Sequence, residues 1–172
     1  MMRYLQHFFI SSCLFVWVGG LSANPQLPLR GSAQVNAAWF FSICEMRLYT
    51  EPSTVAENVL DGRPLSLEIE YQRSISADTL IRYGNKGLDE SFGHEVIKSF
   101  QAEIDLMNQA YVDVEKGDVY RLDFSPESGI TLSLNGSKVI TINDGKFALF
   151  YLAIWLGETR HARSTKQKIF RS

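Results

Sequence analysis

Arg47, Tyr49 and Arg73 are the residues of this sequence best suited to hold an acidic ligand. A guanidinium presents paired N–H donors that match the two oxygens of a carboxylate, and a neighbouring phenol adds another donor. Tyr83 is the fourth candidate. An enzyme site built from these residues needs Arg47 or Arg73 to converge in one pocket with Tyr49 or Tyr83. The competing reading is structural: Arg47 pairs with Glu45 or a cross-strand acid, and Arg73 with Asp78. Such ion pairs outnumber ligand sites by roughly three to one.

Other reactive residue types are sparse. His94 and His161 stand far apart, so no histidine pair has metal-ligand spacing. Asp113, Glu115 and Asp118 flank Lys116-Gly117, which marks a turn into a strand; calcium needs more oxygens in a tighter loop. The serines have no triad partners and no nucleophile elbow. Cys44 reads as a small buried hydrophobe in a strand. Neither a metal nor a cofactor is called for.

The elements that must position these residues come from a chain of 172 residues, with 17 Lys+Arg against 19 Asp+Glu. That near balance excludes a general nucleic-acid binder, which carries a basic excess. Met1 to about Ala23 reads as a secretory signal peptide: Arg3, then an apolar run around Phe8-Phe9-Ile10 and Leu14–Val18, then the small residues Gly19-Gly20-Leu21-Ser22-Ala23. A membrane anchor needs about 20 apolar residues, and Ser11-Ser12 breaks this shorter run. Cys13 after Ile10-Ser11-Ser12 offers lipid attachment as an alternative, against which the apolar run continues past it. The expectation is a periplasmic domain over 24–172, with no integral membrane segment after cleavage and Cys44 as its one cysteine.

Within that domain, Leu27–Val35 and Trp39–Tyr49 read as strands, the second apolar on both faces in its first half and therefore interior. Glu45, Arg47 and Tyr49 share one face of it. Val55–Leu60 reads as a helical turn, and Leu65–Tyr71 as a strand with one wet face. Ser76 caps a helix running to about Phe92; Gly84 and Gly87 inside it signal a close backbone approach or a break, or else room for a ligand.

After Gly93-His94, the spacing of Ile97, Phe100, Ile104, Met107 and Tyr111 predicts a second helix with one apolar stripe. Strands follow at Val119–Phe124, Ile130–Leu134 and Lys138–Ile142, the last two joined by the hairpin signal Asn135-Gly136. Asp144 starts a helix that Gly157 ends at C′. The basic segment Arg160–Arg171 reads as a solvated helix face, with contact to anionic lipid as the alternative. Strands and helices segregated in this way mean α+β.

Several ordered pieces resemble the chalcone isomerase-like family of bacterial exported proteins. They are Leu29–Ala33 leading to Arg47-Leu48-Tyr49, Leu65–Asp78, Val112–Asp118, Leu134-Asn135-Gly136, and Phe147-Ala148 with Leu152-Ala153-Ile154-Trp155-Leu156-Gly157. The resemblance implies an open-faced sandwich: an antiparallel sheet with helices packed on one face and a cleft between the layers. In plant isomerases that cleft closes a flavanone ring; in related non-catalytic members it holds fatty acids.

Ring closure needs cationic and hydrogen-bonding groups for the developing negative charge. The family takes an Arg from the first strand region and Tyr, Lys and Asn from the start of the first long helix. Here the Arg position falls near Asn36, which cannot supply a cation. Ser76–Lys86 contains Arg82, Tyr83, Asn85 and Lys86 without the expected order and spacing. The residues therefore argue against isomerase activity. The leading expectation is a non-catalytic exported domain that binds a fatty acid or another small hydrophobic ligand. The alternatives are an envelope protein-interaction module, which would show an exposed apolar patch, and an isomerase-type enzyme.

Overall fold

The computed structural model describes residues 27–37 and 41–172. The expected leader, with His7 and Cys13, lies outside the described residues, as do Trp39 and Phe40 of the second expected strand.

One antiparallel sheet contains six strands in chain order: β1 (Leu29–Ala37), β2 (Phe41–Thr50), β3 (Leu65–Tyr71), β4 (Val119–Ser125), β5 (Gly129–Leu134) and β6 (Ser137–Ile142). β2 is interior, as expected. Five helices accompany the sheet: α1 (Ala77–Ser91), α2 (His94–Ser99), α3 (Gln101–Ala110), α4 (Gly145–Leu156) and α5 (Arg160–Arg171). The result is the α+β open-faced sandwich.

Side-chain alternation gives the sheet two unlike faces. Leu48, Leu67, Leu122 and Leu132 stand opposite one another from β2 to β5, and all are buried. One position away, Arg47, Glu68, Arg121 and Ser133 form the matching row on the other face. The β5–β6 turn has Asn135 at φ 51° and Gly136 at φ 79°, the mirror-image turn that suits the twist of a hairpin.

The leucine face is covered by α4. Asp144 caps this helix, accepting hydrogen bonds from the backbone N–H groups of Lys146 (2.7 Å) and Phe147 (3.0 Å). α4 is apolar all round, as a helix enclosed on every side must be, and it packs on β4, β5, α1 and α5. Gly87 is a close approach: a Cβ there would lie 2.8 Å from Cγ2 of Ile154, so the missing methyl lets α1 settle on α4. At Gly84 a Cβ would make only an ordinary contact with the Tyr151 hydroxyl, at 3.9 Å. Gly157 ends α4 at φ −80°, outside the left-handed region; a Cβ there would stand 2.5 Å from the Ala153 carbonyl oxygen, so crowding is what demands glycine.

Two expectations need correction. The single helix after His94 is two helices, broken at Phe100 (φ −114°, ψ 17°). Its apolar stripe still faces the core, because Phe100 turns its ring onto Phe150 at a centroid distance of 4.7 Å. The second concerns α5, which is not simply a solvated basic face. Ala162, Lys166 and Ile169 are buried along one side of it. At its far end α5 lies on β1, where Gly31 leaves room for the Ile169 carbonyl and Arg30 stacks 4.5 Å from the Phe170 ring centroid.

Candidate functional site

Arg47 and Tyr49 meet on the open face of the sheet, away from the helices. Arg47 donates to Glu70 (2.8 Å) and Glu68 (3.2 Å) and contacts Glu45 at 3.5 Å. The Tyr49 hydroxyl donates to the same Glu68 oxygen at 2.8 Å. From β4, Arg121 donates to the other Glu68 oxygen (2.9 Å), to Asp123 (2.8 Å) and to Ser66 (3.0 Å), and Ser66 donates to Asp123.

Every donor in this ladder therefore has a carboxylate or hydroxyl from its own sheet. The Glu70 hydrogen bond raises the Arg47 pKa further above its ordinary value. Burial pushes Glu68 up, but hydrogen bonds from Tyr49, Arg47 and Arg121 outweigh it and leave this carboxyl below its usual range. Burial, reinforced by Glu68, raises the Tyr49 phenol. The alternative reading of Arg47, an ion pair with Glu45 and cross-strand acids, describes its setting.

Arg73 and Tyr83 do not join this cluster. Arg73 is exposed beyond the end of β3 and forms no ion pair among the described residues, with Asp78 or otherwise. Tyr83 is 62% exposed on α1. His94 is exposed at the start of α2, and no group of three or more His, Cys, Asp or Glu able to hold a metal occurs among the described residues. Asp113 accepts from the Ala77 N–H (2.8 Å), and Asp118 accepts from the Glu115 N–H (2.7 Å) and from Asn135 (2.9 Å), so the acidic stretch organises turns. Burial lifts the Cys44 thiol to about 12, far from the thiolate a reactive cysteine needs.

Between the layers, where the resemblance implies a cleft, aromatic rings occupy the space. Phe92, Phe100, Phe147 and Phe150 contact one another with centroids 4.5 to 6.1 Å apart. Tyr71 and Tyr111 both meet Tyr120 edge-on, at 6.2 and 5.1 Å. The Tyr111 and Tyr151 hydroxyls satisfy each other at 3.0 Å, and burial pushes the Tyr111 phenol up to about 12.

A cleft is present elsewhere, at the edge of the helical layer, and no strand contributes to its wall. Its volume is about 500 Å³, and its apolar walls are Val59, Leu60, Phe92, Ala153 and Leu156. Val59 and Leu60 come from the turn before β3, Phe92 ends α1, and Ala153 and Leu156 close α4. Thus the ends of three elements, not the sheet, shape it. Glu57 and Glu90 line it too, and both are exposed.

Lys166 of α5 also lines the cleft, with its side chain only 6% exposed. Its Nζ donates to Glu158 Oε1 at 2.6 Å, and this bond holds the Glu158 carboxyl below its usual range. The sequence reading missed this lysine inside a basic run. Helical spacing marks it, since Ala162, Lys166 and Ile169 fall at i, i+4 and i+7 on one face. A second depression, along α1 between Asp78 and Asp89, is polar and open, lined also by Ile81, Arg82, Asn85 and Lys86.

Comparison with known proteins agrees with the architecture. A solved fatty-acid binding protein from Arabidopsis thaliana superposes with a TM-score of 0.62 at 9% identity, over 86% of this chain and 90% of that one. No curated protein matches the sequence. The sequence profile described as chalcone isomerase-like matches residues 21–170. With that span matched, and with the six-stranded sheet and its one-sided helical cover in place, the chain belongs to the chalcone isomerase-like family.

Proposed function

We propose that this protein is an exported, non-catalytic chalcone isomerase-like domain that holds a small hydrophobic ligand, with a fatty acid as the leading candidate. The observation that carries the reading is the cleft at the edge of the helical layer. Its volume of about 500 Å³ lies within the range of small-molecule sites, and it combines apolar walls with one buried cation. The Arabidopsis protein of the same fold is a fatty-acid binding protein, which supports the ligand class.

The residues speak against a reaction. Asn36 offers no cation at the family's early Arg position, Arg47 is committed to three glutamates, and Arg73 and Tyr83 stand in solvent. Export rests on the leader Met1–Ala23. The interaction-module alternative calls for a contiguous apolar patch. The exposed large apolar side chains Leu29, Val55, Tyr83, Val96, Leu106, Val112 and Val139 stand on separate segments of the chain.

Native mass spectrometry of protein purified from the periplasm of its own host tests the proposal. A co-purified fatty acid, with thermal stabilisation by added dodecanoate, is the expected result. A clean apo mass with no thermal shift would overturn it.

A further inference from the structure

A buried ammonium on an apolar helix stripe is costly unless it is paired, and an apolar side chain of the same length would serve packing better. Lys166 sits in that position, between Ala162 and Ile169, yet its carboxylate partner is not buried with it. The Glu158 side chain is 73% exposed, against 6% for Lys166. The pair is lopsided: the cation belongs to the cleft and the anion to the solvent.

Glu158 also has a second holder. Arg163 Nε lies 3.4 Å from its other oxygen, and Arg163 donates to the Glu158 carbonyl at 2.8 Å. A Glu158 side chain that released Lys166 would stay beside a guanidinium. Lys166, left alone, would need another anion at once.

The remaining charges around the cleft set the ligand's charge. Glu57 comes from the short 3-10 turn Ala56–Asn58, and Glu90 from the end of α1, where it pairs with Lys86 at 3.6 Å. Both are exposed at the rim, where water screens them. They oppose a second negative charge more than a first.

From this geometry we infer that Lys166 is the anchor for a ligand carboxylate and that Glu158 occupies its place in the empty protein. The cleft then selects monocarboxylic acids over alcohols or esters of the same chain, and ligand entry exchanges one carboxylate for another at the Lys166 Nζ. The inference rests on the hydrophobic-ligand reading and adds the headgroup and its internal competitor.

The test compares dodecanoate with 1-dodecanol by displacement of a fluorescent fatty-acid probe from the purified protein. The native protein prefers the acid by at least tenfold. K166M abolishes that preference and leaves dodecanol binding within twofold, whereas K166R retains it. E158Q removes the competitor and tightens dodecanoate at least threefold without changing dodecanol. Equal binding of acid and alcohol by the native protein, or an acid preference that survives K166M, overturns the anchor while the hydrophobic-ligand reading stands. Tightening of both ligands by E158Q, or of neither, overturns the competitor role. Failure of both molecules to displace the probe overturns the ligand reading and the anchor with it.

Discussion

On the open face of the sheet, Arg47 and Arg121 share Glu68 and are further held by Glu45, Glu70 and Asp123, all projecting from paired strands. At the edge of the helical layer, Lys166 is held by one glutamate from the turn between α4 and α5. The first arrangement is a closed set. Its donors and acceptors are fixed by strand register, and each row repeats the spacing of the leucines behind it. The second is open on one side, because its anion comes from an exposed residue next to a cleft. Arg47, which looks like a ligand hook in the sequence, is thus consumed by structure, while Lys166, inside an ordinary basic run, lines a cleft with apolar walls.

The comparison predicts opposite responses to substitution. The largest effect is expected at Glu68. E68A leaves Arg47, Arg121 and Tyr49 without their common acceptor, and destabilisation of about 2 kcal/mol is expected, reduced from the cost of breaking a fully buried pair because the face is partly wet. Urea denaturation measures this, and fatty-acid affinity should be unchanged.

The same ladder sets the acid limit. The folded pKa of Glu68 lies below its unfolded value of about 4.3, so its contribution is complete above that pH and is lost as pH falls through the folded value. The denaturation midpoint should therefore drop below about pH 4, and E68Q should flatten part of that drop.

At the cleft the effects are smaller and fall on binding. Each methylene added to a fatty acid should contribute at most about 0.8 kcal/mol, close to fourfold in Kd, until the chain outgrows the walls formed by Val59, Leu60, Phe92, Ala153 and Leu156. A chain-length series by calorimetry would show the plateau; affinity independent of length would contradict an apolar cleft. The smallest change is expected in the stability of K166M. Replacing a buried ammonium with an apolar side chain of similar length should leave the unfolding free energy within about 1 kcal/mol of native, or raise it. A loss comparable with that of E68A would place Lys166 among the structural cations and erase the contrast.

Much of the fold is legible in local chemistry. Ser76 and Asp144 carry the oxygen that caps a helix, Asn135-Gly136 carries the turn, and the alternation of Leu65–Tyr71 separates wet from dry. The break at Phe100 is hidden, since neither glycine nor proline marks it and the apolar period runs straight through; ring packing on Phe147 and Phe150 produces it. The site is less legible still. Arg47 and Tyr49 share a face as alternation requires, but whether a shared face binds or merely pairs depends on Glu68 and Glu70 arriving from β3. The cleft is made where the ends of elements far apart in sequence meet, at Leu60, Phe92 and Leu156, and no local pattern encodes that meeting.

The enclosure of α4 also bears on timing. Five strands bear their apolar rows before residue 135, yet the helix that packs on β4 and β5 spans Gly145–Leu156, and α5, which packs on β1, follows it. During synthesis the part of the dry face under α4 stays uncovered until residues 145–156 are made, so packing there waits for a segment that follows all six strands. The sheet is thus complete in sequence before its α4 cover exists, and apolar side chains such as Leu122 and Leu132 must wait for their partners.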